Sequence, residues 1–317
     1  WYNEIASMVL DENPRIAYFA TIAAGHLGDP LEDVVELLAR NNNEDVYLRH
    51  AGVVALANSQ YASTLANLRA HNNPAVRLGA VLALRKQSSP LLAHYLDDED
   101  DAVATESARA IHDVPVSEAL HELAQSLPDA RTYPWQRRAL SASERLGNNE
   151  YAQQIVEFAL DDSHDERMRL LALSMLSTWT SPPDREQVEG RWWPAKHFEH
   201  RSLEAVQSSL PSLIAASDGD MLLKVFEIAQ IYDLPLPEDV SKQLLFEDSQ
   251  DLDLRVFSLA SLATDDAIAF GLAHDSWQLR AAARLAKLNR GDDDAIDLLL
   301  DAVKHDVWQA QQAAITA

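Results

Sequence analysis

The chain has 317 residues, with 26 Lys+Arg against 50 Asp+Glu, a formal net charge of −24 at pH 7, and no cysteine. That charge excludes a nucleic-acid backbone as the main partner, because such binding runs on cationic side chains displacing counterions, and it disfavours anionic membrane surfaces. The lack of Cys excludes disulfides, thiolate zinc sites, cysteine nucleophiles and haem attached through C-x-x-C-H within this sequence.

Hydrophobic residues make up 47% and glycines number only 9, a composition that favours folded helix over loop. No apolar run approaches the ~18 residues of a membrane-spanning helix, so no membrane insertion is expected. The opening Trp1-Tyr2-Asn3-Glu4 lacks both an initiator Met and a signal-like segment. The last residues, Gln311 to Ala317, fall inside a helical pattern. Both ends therefore read as cuts within a longer polypeptide.

Along the chain, apolar residues recur at three- and four-residue spacing, the signature of amphipathic helices. A helix is expected after Asn13-Pro14 and a second over Leu31 to Ala39. Asp45 opens Val46-Tyr47-Leu48-Arg49-His50-Ala51-Gly52-Val53-Val54-Ala55-Leu56, followed by a helix over Tyr61 to Arg69. Asn73-Pro74 opens Ala75-Val76-Arg77-Leu78-Gly79-Ala80-Val81-Leu82-Ala83-Leu84, followed by Pro90 to Tyr95. Asp101 opens a weaker copy, Ala102 to Ile111, followed by Val116 to Leu127. Beyond a helix over Tyr151 to Leu160, the motif returns after Asp165 as Arg167 to Leu173. It returns again as Leu254 to Ala260 after Asp251, and as Leu279 to Ala283 after Asp275. A helix over Ala295 to Val303 and a further start at Asp306 close the pattern. Arg49 and Arg77 are 28 positions apart, and Arg255 and Arg280 are 25 apart. Asp or Asn at each start can satisfy the free N–H groups of the first helical turn.

Helix pairs at this period, with small residues where helices touch, build a stacked array, because a single pair cannot bury its own apolar face. The fold class expected is all-α, an α-solenoid of roughly eight to ten helix pairs. The V-R-x-x-A-x-x-A-L helix after Asp or Pro resembles HEAT repeats of the short bacterial kind. Arg49, Arg77, Arg169, Arg255 and Arg280 recur at matched positions, and the resemblance implies an Asp–Arg ladder between neighbouring repeats. A repeated position makes a line rather than a point, so these arginines are read as structural.

The segment from Ser181-Pro182-Pro183-Asp184 to Arg201 interrupts the pattern. It divides the chain into an amino-terminal array (1–180), an aromatic, Pro-containing insertion (181–201) and a carboxy-terminal array (202–317). Two adjacent Trp followed by Pro194 cannot both face one helical core. Arg185, Arg191, Lys196 and Arg201 outnumber Glu186, Glu189 and Glu199 there, so a slightly cationic island sits in an acidic chain. Trp and Arg dominate binding hot spots, which makes Arg191, Trp192, Trp193, Lys196, His197 and Phe198 the candidate binding residues. The other reading is a loop folded back as a plug.

No catalytic residues, cofactor or metal are assigned. His197 and His200 could share a metal at i, i+3, but a further ligand is missing and H-E-x-x-H does not occur. Asp97 to Asp101 and Asp292 to Asp294 lack calcium-loop spacing and read as caps and solubilising turns. His26, His50, His112 and His121 are isolated, and no phosphate-cradling Gly loop or nucleophile elbow is present.

The strings Leu48 to Leu56, Asn73 to Arg85, Ala108-Arg109-Ala110-Ile111-His112-Asp113-Val114-Pro115-Val116 and Val188-Glu189-Gly190-Arg191-Trp192-Trp193-Pro194 resemble, in that order, one particular helical-repeat region. It is that of large planctomycete and verrucomicrobial dehydrogenase/haem-binding proteins, placed between a sorbosone-dehydrogenase-like β-propeller and a c-type cytochrome domain. The resemblance implies the middle, non-catalytic module of an exported redox protein; the residues alone do not indicate a location. The partners implied are neighbouring domains or another protein, and the acidic field would favour a basic one. Two other classes stay open. One is an enzyme or ligand-binding protein on a HEAT scaffold, of the bilin-lyase type, with Trp192, Trp193 and His197 at its cleft. The other is a structural spacer without a partner of its own.

Overall fold

The computed structural model describes residues 1–194, 201–247 and 251–316. It is all-α: nineteen α-helices and four short 3-10 turns are present among the described residues. The chain divides into two compact units, one of residues 1–158 and 178–202, the other of residues 159–177 and 203–317.

The first unit contains α1 (Tyr2–Ala6), α2 (Pro14–Leu27), α3 (Leu31–Asn41), α4 (Val46–Ser59), α5 (Ala62–Asn67), α6 (Pro74–Lys86), α7 (Asp101–Asp113), α8 (Leu120–Gln125), α9 (Tyr133–Leu146) and most of α10 (Asn149–Leu160). The motif helices α2, α4, α6, α7 and α9 pack side by side in chain order. Small residues permit this: Gly25 in α2 lies so close to Ala55 in α4 that a β-carbon would collide with its backbone. The helices between them are short. Pro90–Tyr95, expected as a helix, is a six-residue 3-10 segment, and α5 runs into another at Leu68–Ala70. Compressing the second element shortens the repeat. Successive second elements are tied by Tyr95, whose buried hydroxyl donates to the Leu65 carbonyl at 2.6 Å.

The caps follow the expected chemistry at most starts. Asn13, Asp45, Asn73, Asp165 and Asp251 each accept from a backbone N–H two residues on. In the third copy the cap is Asp100, which accepts from Ala102 and Val103; Asp101, expected to cap, is already the first helical residue. The segment 128–150, where no motif is legible, folds as α9, with Pro134 in its first turn and Trp135 fully buried.

The second unit holds the end of α10 with α11 (Glu166–Ser177), α12 (Glu204–Ala215), α13 (Gly219–Ile231), α14 (Glu238–Phe246), α15 (Leu252–Leu262), α16 (Asp265–Ala273), α17 (Trp277–Arg290), α18 (Ala295–His305) and α19 (Trp308–Thr316). Here α13 packs on α11, α15 on α13, and α17 on α15. Leu245, Leu259, Leu279 and Ala283 belong to a core cluster built by α14 to α17. The compact units are cut differently from the division at 180–181 and 201–202 read from the sequence. Helix α11 packs on α13, its neighbour on the carboxy-terminal side, whereas 178–202 return to the first unit.

No helix among the described residues is long and apolar enough to cross a membrane.

Candidate functional site

Within the insertion, the described residues 181–194 form a strap that closes over α7 and α9 of the first unit. Its own backbone folds around one carboxylate. Glu186 accepts from the N–H groups of Val188 (2.7 Å), Glu189 (2.7 Å) and Arg191 (3.0 Å). Gly190, at φ +69°, makes the turn. The turn brings Arg185 opposite Trp192 as an isolated antiparallel bridge. Extended backbone sends neighbouring side chains to opposite faces. Trp193 therefore meets the His112 ring edge-on, with centroids 5.5 Å apart, while Trp192 stays 62% exposed.

The docking groups come from one face of α9. Arg145 donates to the carbonyls of Pro183 and Trp193 at 3.2 and 2.8 Å. Arg137 donates to those of Gln187 and Val188 at 3.0 and 3.1 Å. Arg138 bridges Asp113 at 2.8 Å and Glu189 at 2.9 Å. Gln187 donates to Glu144 at 3.3 Å. Arg201 donates to the Glu144 carbonyl at 2.6 Å and stacks over Trp179 at 4.6 Å. Glu144 and Glu186 are both buried, as are Arg138, Arg145 and His112.

At the centre, His112 Nε2 lies 3.0 Å from Ser141 Oγ, and its Nδ1 lies 3.0 Å from Asp113. Serine, imidazole and carboxylate are thus connected in the order of a catalytic triad. Ser141, however, has no exposed surface and sits within α9, where backbone N–H groups serve the helix rather than an oxyanion.

The two buried glutamates are pushed apart. Burial raises the carboxyl of Glu144, with partial relief from Arg145 and Arg201. Burial also opposes ionisation of Glu186, but the three backbone N–H donors outweigh it and hold that carboxyl low. Asp113 behaves likewise: burial is outweighed by hydrogen bonds from His112 and Arg138, and its carboxyl lies well below the usual range. For these two depressed groups the stability contribution is present above the unfolded carboxylate range, near pH 4. It is lost as pH falls through their lower folded values. For Glu144, raised on folding, the sign reverses: stability declines as pH climbs past its unfolded value. Urea unfolding across pH should show an acid arm that Asp113→Asn flattens, and Glu144→Gln should remove the loss on the rising side. Equal midpoints at pH 3 and 6 in the parent chain would contradict the acid arm.

Of the residues singled out in the insertion, Arg191, Trp192 and Trp193 lie on the strap; Lys196, His197 and Phe198, with the His197/His200 pair, lie outside the described residues. Among the described residues no group of His, Asp and Glu is placed to hold a metal. The five matched arginines do not form one ladder. Arg77 makes a two-point pair with Asp98 at 2.8 and 2.9 Å, and donates to the His71 and Asn72 carbonyls. Arg280 repeats this arrangement with Asp306 and the His274 and Asp275 carbonyls. Arg169 and Arg255 each donate Nε to a carbonyl ten residues upstream, those of Ala159 and Leu245. Arg49 has no ion-pair partner among the described residues and faces an open groove. The Asp97–Asp101 run does more than cap and solubilise, since Asp97, Asp98 and Asp101 pair with Arg69, Arg77 and Arg131.

The residues of α9 are not legible as a site in the sequence. Pro134 after Thr132 is a helix-start signal, but Arg138, Ser141, Glu144 and Arg145 occupy its buried face and erase the apolar stripe.

No protein-family profile matches the chain, and no curated protein matches it. A crystal structure described as an engineered protein, from the Northeast Structural Genomics Consortium, is similar at 15% identity and a TM-score of 0.41. That alignment covers 99% of this chain and 97% of the other.

Proposed function

We propose that this chain is a non-catalytic interaction module built on stacked helical repeats. The observation that carries the reading is how the ionisable groups at the α7 and α9 face of the first unit are used. Glu144, Glu186, Asp113, Arg138 and Arg145 are consumed in fixing a strap to two helices. Such networks fix a surface as far as their members are satisfied. Here the carboxylates and most guanidinium N–H groups are paired, while the buried Nε atoms of Arg137 and Arg145 have no hydrogen-bond partner among the described residues. Catalytic groups must instead meet a substrate, and in the triad-like set found among the described residues, Ser141-His112-Asp113, the serine and the imidazole are buried away from it. The resemblance of the repeat strings supports a more particular context, the helical segment of an exported multidomain redox protein whose chemistry resides in other domains.

An activity probe separates module from enzyme. A fluorophosphonate, which labels serines activated by a neighbouring imidazole, is expected to leave Ser141 unmodified in the folded chain. Labelling that disappears in Ser141→Ala would overturn the non-catalytic reading. The redox context is tested by sequencing the coding DNA on either side, where a propeller before and a C-x-x-C-H after are expected.

A further inference from the structure

The face of α7 and α9 that holds the strap does not end at the strap. On α7, Thr105, Arg109 and His112 are spaced i, i+4, i+7 and share one face. On α9, Pro134, Arg137, Arg138 and Ser141 do the same. His112 and the α9 arginines meet the strap. Thr105, Arg109 and Pro134 instead line an open groove of about 620 Å³ that continues across α6 and α4, where Leu78, Leu82 and Arg49 complete it.

The uncovered stretch repeats the chemistry of the covered one. Where the strap lies, guanidinium groups donate to the carbonyls of Gln187 and Val188 in its turn, to those of Pro183 and Trp193 on either side of the turn, and to the carboxylate of Glu189. In the groove, arginines again project beside aliphatic surface. Its two carboxylates are already engaged: Asp101 pairs with Arg131 at 2.6 Å, and Glu106 pairs with Arg85 at 2.6 Å and Arg109 at 3.6 Å. Arg49 is unpaired among the described residues. The lining carries two arginines and two carboxylates. Arg131 and Arg85, from outside it, already take up the carboxylates, which leaves Arg49 and Arg109 as a local cationic surplus in a chain of net charge −24. Exposed charges more than ~10 Å away are largely screened at 0.1 M salt, so the local groups decide what binds.

We propose that this groove docks an extended peptide segment of a partner protein, one that presents a carboxylate to Arg49 and Arg109 and aliphatic side chains to Leu78 and Leu82. The proposal rests on the interaction-module reading and gives it a surface and a partner chemistry. It also runs against the whole-chain charge, which on its own favours a basic partner.

The test is selection of short random peptides displayed on phage against the full chain, followed by fluorescence anisotropy of the recovered sequences. Recovered peptides should carry Asp or Glu beside Leu, Ile, Val or Met. Arg49→Glu and Arg109→Glu should each weaken binding at least tenfold, and Arg49→Gln should do so less. Arg49 makes no ion pair among the described residues, so circular dichroism should report an unchanged fold in its variants. Recovery of Lys- and Arg-rich peptides, peptides indifferent to both substitutions, or no peptides at all would overturn the groove assignment. Fluorophosphonate labelling of Ser141 would instead sink the non-catalytic reading and leave the groove standing, so the two fail separately.

Discussion

Replacing Glu186 by Ala should release the strap while leaving the helices formed. Three backbone N–H groups lose their shared acceptor, and His112 loses the carboxylate 3.6 Å from its Nε2. A buried donor left unsatisfied costs about 1–3 kcal/mol. Three such donors would exceed that, but a strap that detaches rehydrates them, so the net loss should settle on the order of 3 kcal/mol. Hydrogen exchange should then report protection lost across 183–193 and at the α9 face, with α2 to α6 unaffected. Trypsin should cut at Arg185 or Arg191 in the variant and spare the parent. A variant with parent-like stability and an uncut strap would show that Glu186 is not what organises it. Glu186→Gln is the informative companion. It keeps one acceptor oxygen and should fall between the two.

The second large effect is expected at Arg77. Its side chain and that of Asp98 are each 5% exposed, and the guanidinium is also bonded to two carbonyls. Arg77→Ala strands a buried carboxylate, a change that typically costs about 3–5 kcal/mol. Combining it with Asp98→Leu should recover much of the loss, because an apolar pair avoids the desolvation of both charges. Arg280→Ala is expected to cost less, although its hydrogen bonds copy those of Arg77. Arg280 is 20% exposed, and Arg284 remains 2.7 Å from Asp306 to hold the carboxylate. Urea midpoints of the three variants, ranked against the parent, check the order. Equal losses at Arg77 and Arg280 would mean that burial does not set the difference.

Sequence alone reveals the parts of the fold governed by local rules. The motif around Arg49 and Arg77, the Asn and Asp caps, and small residues such as Gly25 and Ala55 all act over a few turns of helix, so their pattern survives in one dimension. The candidate site is legible only in outline. Trp192 and Trp193 stand out as a pair that one helical face cannot accommodate, and an alternating backbone does divide them. Their binding surface does not stand out, because α9 buries Glu144 and Arg145 against groups 43 and 48 residues away, and Ser141 against His112, 29 residues away. A polar residue in a helix reads as solvent-facing unless its distant partner is known. The matched arginines fail differently. Equivalent positions in a repeat are equivalent in backbone only, and the same guanidinium reaches Asp98 in one copy, a carbonyl in the last turn of α10 in another and an open groove in a third.

The strap has a further consequence for how the protein is made. Arg137 and Arg145 bond to residues 38 to 51 positions further along, and the chain between passes through α11, which belongs to the other unit. On a ribosome, α9 emerges with a polar face that nothing yet covers. The first unit cannot complete its structure until α11 has been synthesised and the strap has returned. Long loop closures of this kind slow folding and leave intermediates exposed. An arrest placed within α11 should therefore yield a nascent chain in which α2 to α7 resist protease and α9 does not.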